Sequence, residues 1–343
     1  MDRIICLSDL PRPLTYRDIR TVPKDRIDPS FIRACLLECI ETHPSCQSIS
    51  VPSNLNEPNG LILIDVQNQN LVRPTELPRY FALSYVWGRT LQVCLTSDIL
   101  PSLMQPGALA SLSSQIPRVI RDAMQLVRSI NESFLWVDSL CIVQDDTQSK
   151  YQQINNMSLI YEQAYATLVA LTGKQADDPL PGVQPNTRRY RMLGTMYGLA
   201  FAHRGISPED IMRESRYGSR AWTYQERLLS KRCLYFTNEQ VYFQCSRGLR
   251  SEDRCDRYDD LWGNTMVTYA EYSSLTECSR RRPFLFFGDA KYEAIVQEYS
   301  WKDLTYPSDV LNAFGGVQQA LERGLQTSFV YGLPESRFDH ALL

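Results

Sequence analysis

Histidine is scarce in this chain: only His43, His203 and His340 occur in 343 residues. This scarcity argues against a histidine-based catalytic triad and against a metal site with several histidine ligands. No apolar run approaches the roughly 20 residues that cross a bilayer, and the first residues lack the apolar core of a signal peptide. Neither a Gly-x-Gly-x-x-Gly motif nor a Gly-Lys-Ser/Thr phosphate loop is present, which argues against dehydrogenases and nucleoside triphosphatases.

Charge of either sign is not in large excess, because the formal net charge is −3. No global positive field points to nucleic acid or to an anionic membrane surface. The ten cysteines are spread along a chain that is long enough to fold without disulfide bonds. Reduced thiols and a cytoplasmic location are therefore expected. The patterning predicts three units: an N-terminal arm, helix and hairpin at 1–78, a core at 79–250 with an inserted loop at 174–219, and a mainly helical covering segment at 251–343.

Apolar runs alternate with amphipathic segments through the middle of the chain. Strands are predicted at 80–88, 134–143 and 166–173, separated by helices at 113–130 and 150–164. This order is typical of right-handed βαβ units. The fold class is therefore α/β, with a parallel sheet flanked by helices, and the ends of the first two strands are expected to lie side by side.

Polar and aromatic side chains cluster where those two strands end. Ligands of open α/β sheets bind outside the carboxyl ends of the strands, so this edge is the predicted binding site. Asp138 also interrupts a nearly continuous apolar run, where an unpaired buried carboxylate would cost several kcal/mol. The predicted ligand-contacting residues are Ser84, Tyr85, Trp87, Gly88, Asp138 and Ser139.

The segment 220–245 reads RAWTYQERLLSKRCLYFTNEQVYFQC and predicts a helix followed by two strands. Trp222 and Glu226 lie four residues apart in this helix, so the indole and the carboxylate share one face. They are the predicted catalytic residues. The alternative is that Trp222 belongs to the core and that Glu226 is a solvated carboxylate paired with an arginine.

Two further sets of residues, one of cysteines with a histidine and one of arginines, could bind a metal or a phosphate. Cys35, Cys39, His43 and Cys46 have one-turn spacing, but a single helix and its exit accommodate a zinc tetrahedron poorly, so buried metal-free cysteines are expected. The inserted loop is rich in arginines that either hold phosphates or only solubilise the loop. These arginines are Arg188, Arg189, Arg191, Arg204, Arg213 and Arg216.

Four segments together resemble the fungal heterokaryon-incompatibility (HET) domain. They are ALSYVWG at 82–88, LWVDSLCIVQDD at 135–146, the helix at 154–164, and RAWTYQERLLS at 220–230. Flanking matches, including Cys39-x3-His43-x2-Cys46, extend the resemblance over most of residues 35–343. The resemblance implies a part in fungal non-self recognition, as an intracellular effector of cell death.

The HET family is also regarded as distantly related to Toll/interleukin-1 receptor (TIR) domains, which have a flavodoxin-like sheet. TIR enzymes carry a helical Trp-Cys-x-x-Glu whose glutamate is needed to cleave NAD, and Trp222 and Glu226 match this spacing, with Thr223 in place of the cysteine. The resemblance therefore implies NAD as a substrate, with no bound cofactor. Two alternatives stay open: a non-enzymatic module that self-associates or recruits an incompatibility partner protein, and an enzyme for another nucleotide-like small molecule.

Overall fold

The computed structural model describes residues 4–6, 22–23, 25–46, 60–189, 193–196, 199–203, 208–253 and 288–341. A helix predicted at Tyr269–Thr276 lies outside these residues. No described helix has both the length and the hydropathy needed to cross a bilayer.

The strands fall into three sheets. β1, β7 and β8 form a small antiparallel sheet, β12 and β13 form a hairpin, and the other eight strands form the central sheet. The strands are β1 Ile4–Cys6, β2 Leu63–Asp65, β3 Asn70–Val72, β4 Phe81–Ser84, β5 Phe134–Trp136, β6 Ala166–Val169, β7 Leu193–Met196, β8 Leu199–His203, β9 Cys233–Phe236, β10 Val241–Cys245, β11 Gly248–Ser251, β12 Phe329–Val330 and β13 Leu333–Pro334.

The central sheet has a parallel middle and antiparallel margins. Its order is β11-β10-β9-β6-β4-β5-β2-β3. β4 pairs in parallel with both β5 and β6, and β6 pairs in parallel with β9, whereas β2–β3 and β10–β11 are antiparallel hairpins at the two edges. Among the four parallel strands the spatial order is second, first, third, fourth, which is the flavodoxin-like order. The predicted α/β class and the adjacent parallel strands at Phe81 and Leu135 are confirmed.

Helices cover the sheet because their apolar stripes match its buried faces. α4, for example, buries Val119, Ile120, Ala123 and Val127 at helical spacing and begins after Pro117. The helices are α1 Pro29–Thr42, α2 Leu100–Leu103, α3 Ala108–Ser111, α4 Arg118–Ser129, α5 Asp138–Cys141, α6 Thr147–Gln163, α7 Pro208–Glu214, α8 Ala221–Leu229, α9 Gly288–Ser300, α10 Asn312–Leu325 and α11 Phe338–Ala341, with 3₁₀ turns at Pro44–Cys46, Pro307–Asp309 and Glu335–Arg337.

The predicted core strands were longer than the observed ones, most of all at 134–143. The apolar run expected to be a strand at 134–143 forms β5 only as far as Trp136 and then turns into α5. The Asp138 carboxylate accepts a hydrogen bond from the Ser139 backbone N–H at 2.7 Å, and Cys141 N–H donates to the Val137 carbonyl at 2.7 Å. These local hydrogen bonds compete with strand pairing and begin the helix at Asp138.

Candidate active site

Helix α8 is held between the sheet and the C-terminal helices. Ala221, Tyr224 and Leu228 pack into an apolar cluster with residues of α9 and α10. The Gln225 side-chain carbonyl accepts a hydrogen bond from the Gly316 backbone N–H at 3.2 Å. With one face fixed in this way, α8 presents Glu226 to the sheet, where its side chain is buried.

The Glu226 carboxylate ends a buried chain of hydroxyl groups. Ser84 Oγ, at the carboxyl end of β4, donates to Glu226 Oε2. The same Ser84 oxygen lies 2.5 Å from the hydroxyl of Tyr217, which is fully buried. The Tyr161 hydroxyl, which donates to the Leu83 carbonyl at 3.3 Å, also lies near the carboxyl group. The expectation of a solvated glutamate paired with an arginine does not describe this environment.

A second carboxyl group lies at the end of the neighbouring strand. Asp138 Oδ2 accepts a hydrogen bond from the Trp87 indole N–H at 2.7 Å. Tyr85 and Ser139 are buried beside it, and their hydroxyl oxygens are 3.1 Å apart. Hydrogen bonds therefore join residues of the two strand ends, and the Asp138 charge is close enough to act on the pKa of Glu226.

Burial sets the protonation of both carboxyl groups. It raises the pKa of Glu226 from an ordinary value of 4.5 to about 7, and the hydrogen bond from Ser84 limits the rise while the nearby Asp138 charge adds to it. Burial likewise raises the pKa of Asp138 from 3.8 to about 6. Two carboxyl groups that titrate near neutral pH, one from a helix and one after a strand, are typical of catalytic sites.

Arg220 provides positive charge beside these acids. Its charge opposes the pKa rises of both Glu226 and Asp138. Among the residues that the structure describes, its Nε has no hydrogen-bond acceptor although the atom is buried. A buried guanidinium donor that is not used by the protein can bind an anionic group of a ligand.

The acidic group lies at the point where the strand order reverses. β4, the first parallel strand, lies between the second, β5, and the third, β6. The connection from β4 runs to β5, and the connection from the adjacent β6 runs to β9, on the opposite side. Ser84 pairs with Val169 at this position. Such topological switch points are where open α/β sheets bind their ligands.

The other predicted residues have different positions. Trp222 is partly exposed and packs against the central core and against the C-terminal cluster, one turn from Glu226. Gly88 has a φ of +65°, and a Cβ there would lie 2.6 Å from the Gln175 Cβ, so the backbone requires glycine. Gly88 therefore forms the turn after β4, and its contact with a ligand stays a prediction.

Three residues of the site were not predicted as such: Tyr161, Tyr217 and Arg220. Tyr161 lies on α6, and Tyr217 precedes α8 in the inserted loop. Their polar tips meet only in the folded chain. Tyr161 and Arg220 lie within the segments that resemble the HET domain, and this position was the one sequence feature that could have marked them as site residues.

The loop arginines that the structure describes are engaged by the protein or exposed. Arg188 forms a buried bidentate ion pair with Glu252, at 2.8 Å for the closer contact. Arg213 pairs with Asp210, and Arg216 pairs with Asp303. Arg191 and Arg204 lie outside the described residues, and the phosphate hypothesis for the loop stays untested.

The predicted group of three cysteines and one histidine has a different membership in the structure. The ligand atoms of Cys39, His43, Cys46 and Cys245 all lie within 4.8 Å of one another, and Cys35 is not part of this cluster. Cys245 is on β10, some 200 residues along the chain from His43. The premise that all the candidate ligands come from one helix and its exit is therefore wrong.

Part of the central core is similar to a known protein family. Residues 80–226 match the model of the family described as heterokaryon incompatibility protein (HET). This segment, less than half of the chain, is therefore similar to a HET domain. The matched range begins beside β4 and ends at Glu226, so it contains the whole acidic site. The Cys/His cluster lies outside the HET match.

A curated relative agrees with this family. Heterokaryon incompatibility protein 6, OR allele, of Neurospora crassa is 34% identical over 105 residues. The aligned region covers 29% of this chain and 15% of that protein. No solved structure gives a significant match.

Proposed function

We propose that this HET-domain protein hydrolyses NAD to nicotinamide and ADP-ribose, as part of fungal non-self recognition and cell death. The observation that carries the proposal is the Glu226 carboxyl group, buried at the topological switch point beside Asp138. Trp222, one turn away on the same helix, is partly exposed and can stack on a ring of the substrate. The family name supports the biological role.

The chemistry suits a carboxylate near the ribose. As the bond between C1′ and the nicotinamide nitrogen breaks, its electron pair moves to the nitrogen and neutralises the pyridinium charge. Positive charge develops on the ribose, and ionised Glu226 stabilises it. Water then adds its oxygen to C1′ and releases a proton. Arg220 is positioned to bind a phosphate oxygen.

Nicotinamide release tests the proposal. Concentrated protein, with and without crowding agents, is incubated with NAD, and nicotinamide is followed by chromatography. Glu226→Gln keeps the size of the side chain and loses its charge, so turnover should fall about 100-fold or more.

Glu162→Gln is the matched control. Glu162 is also a buried helical glutamate, but it pairs with Arg323 at 3.1 Å, so its loss should leave turnover unchanged. Equal turnover of the wild type and Glu226→Gln would remove Glu226 from the mechanism. Turnover of another nucleotide but not of NAD would reassign the substrate.

A second candidate function is a non-enzymatic interaction module. Several large apolar side chains near the C-terminal helices are exposed, including Trp301 at 82% and Tyr331 at 85%. Exposed apolar surface of this kind is typical of protein-binding sites. Failure to release nicotinamide under every assembled condition, combined with self-association that Trp301→Ser weakens, would favour this function.

A further inference from the structure

Four buried side chains converge outside the HET match. Cys39 lies in the last turn of α1, His43 caps that helix, Cys46 ends the following 3₁₀ turn, and Cys245 ends β10. All four are buried, and their ligand atoms lie within 4.8 Å of one another. The three cysteines of the cluster are thiols rather than disulfides.

Local backbone geometry directs the three N-terminal side chains to one point. The His43 N–H donates to the Cys39 carbonyl at 3.1 Å, which ends α1. The Cys46 N–H then donates to the His43 carbonyl at 2.9 Å. The chain therefore folds back on the helix end, and β10 supplies the fourth side chain from the central sheet.

The separations suit a tetrahedral ion. With Zn–S bonds of about 2.3 Å and Zn–N bonds of about 2.0–2.1 Å, tetrahedral ligands are roughly 3.8 Å apart for two sulfurs and roughly 3.6 Å apart for sulfur and nitrogen. Cys245 Sγ and His43 Nδ1 are 3.5 Å apart. Three sulfurs and one imidazole nitrogen, drawn from two separated elements, are a common donor set of structural zinc sites.

The surroundings supply hydrogen bonds to the sulfurs. Arg232 Nε donates to Cys39 Sγ at 3.3 Å, and the Arg247 backbone N–H lies 3.5 Å from Cys245 Sγ. Ser246 Oγ is 2.8 Å from Cys46 Sγ. Donors that surround coordinated thiolates in this way orient the ligands and stabilise their charge.

Buried positive charge next to the cluster has no matching carboxylate within ion-pair distance among the described residues. The Arg232 guanidinium, 4% exposed, donates instead to the carbonyls of Tyr165 and Cys46. The Lys231 ammonium, 1% exposed, has no hydrogen-bond acceptor in the described part of the chain. Zn²⁺ with three thiolates and a neutral imidazole carries one net negative charge, which these cations would balance.

We propose that Cys39, His43, Cys46 and Cys245 bind one structural zinc ion that fastens helix α1 to strand β10. All four first-coordination positions are filled by protein, so the site holds the fold together rather than performing catalysis. The ion closes a loop of about 200 residues between the N-terminal helix and the edge of the central sheet.

Metal content of the full chain tests this site. Protein purified without chelators is analysed by inductively coupled plasma mass spectrometry and by native mass spectrometry. We expect one zinc ion per chain in the wild type and in Cys35→Ser, and none in Cys46→Ser or Cys245→Ser. Cys35 is the matched control, because it is equally buried one turn earlier on α1 but lies outside the cluster.

A measurement on wild-type protein covers the case in which the cluster variants fail to fold. A mercurial reagent that titrates thiols should release one zinc ion per chain to a colorimetric chelator, and cobalt substitution should give the visible absorption of a tetrahedral thiolate site. Wild-type protein without metal, or with a disulfide between cluster cysteines, would overturn the proposal. Stoichiometric iron in place of zinc would overturn the assignment of the metal.

Discussion

The two buried polar clusters of this protein are built in opposite ways. The acidic cluster of Glu226, Ser84 and Asp138 lies at the parallel centre of the sheet, and its carboxyl groups titrate near neutral pH. The Cys/His cluster lies at the antiparallel edge, where Arg232 donates to Cys39 Sγ and the Lys231 charge interacts with Cys46. At the first cluster, burial raises the pKa of both carboxyl groups despite the nearby Arg220, whereas at the second, Arg232 donates a hydrogen bond directly to Cys39 Sγ.

The acidic cluster lowers the stability of the folded chain when it ionises, whereas the Cys/His cluster contributes to stability. Ionised Glu226 is unfavourable in the folded protein and becomes useful only when a ligand supplies positive charge. The Cys/His cluster joins two distant elements. Substitutions in the two clusters should therefore change stability in opposite directions.

The largest expected effect is at the Cys/His cluster. Arg232→Met removes hydrogen bonds to the Tyr165 and Cys46 carbonyls and to Cys39 Sγ, all of them buried. Hydrogen bonds from a charged donor contribute about 1.5–3 kcal/mol each, so losing three should lower the free energy of unfolding by at least about 4 kcal/mol. Urea denaturation measures this loss.

Arg250→Met is the control for that substitution. Arg250 also links α1 to the sheet edge, through Glu38, but that carboxylate is 43% exposed. A pair of this kind contributes less than about 1 kcal/mol. Equal losses for the two variants would remove the distinction between the buried cluster and an ordinary surface contact.

The second prediction concerns the acidic cluster and has the opposite sign. Because the pKa of Glu226 is about 7 in the folded chain and 4.5 ordinarily, the unfolded chain releases this proton first as pH rises. Its contribution to stability is therefore fully present below pH 4.5 and is lost by about pH 7, a difference of up to about 3 kcal/mol. Glu226→Gln should be more stable than the wild type at pH 8.

Urea denaturation between pH 5 and pH 8 checks this prediction. The variant should show a smaller decrease in unfolding free energy over this range than the wild type. A variant that is less stable than the wild type at pH 8 would mean that ionised Glu226 stabilises the fold.

Ionisation of Glu226 also predicts a pH dependence of the proposed activity. The carboxylate form is the one that stabilises positive charge on the ribose, so the turnover number should rise as pH increases through about 7. A pH profile of nicotinamide release measures the midpoint. Turnover that falls over the same range would assign Glu226 the role of a proton donor instead.

The acidic cluster was largely predictable from the sequence, and the Cys/His cluster was not. Alternating apolar runs fixed the order of the strands, and the carboxyl ends of neighbouring parallel strands meet at one edge, so Ser84 and Asp138 could be placed together. Cys39, His43 and Cys46 were visible as a local pattern. Nothing local connects them to Cys245, because β10 is brought to α1 only by the complete sheet.

Lys231 and Arg232 show why the remainder was missed. At the end of an amphipathic helix these residues read as cations that complement the helix dipole. In the structure they are among the most buried charged residues and face the Cys/His cluster. A sequence pattern specifies which residues share a face of one element, but not which distant element covers that face.

The smallest expected effect tests the coupling within the acidic cluster. The Asp138 charge raises the pKa of Glu226, so Asp138→Asn should lower it toward its ordinary value. The pH at which unfolding free energy levels off, and the midpoint of any pH–activity profile, should both move down. Asp98→Asn is the control, because that exposed carboxylate hydrogen-bonds to Thr96. If the midpoint is the same in Asp138→Asn and in the wild type, burial alone sets the pKa of Glu226, and the two acids titrate independently.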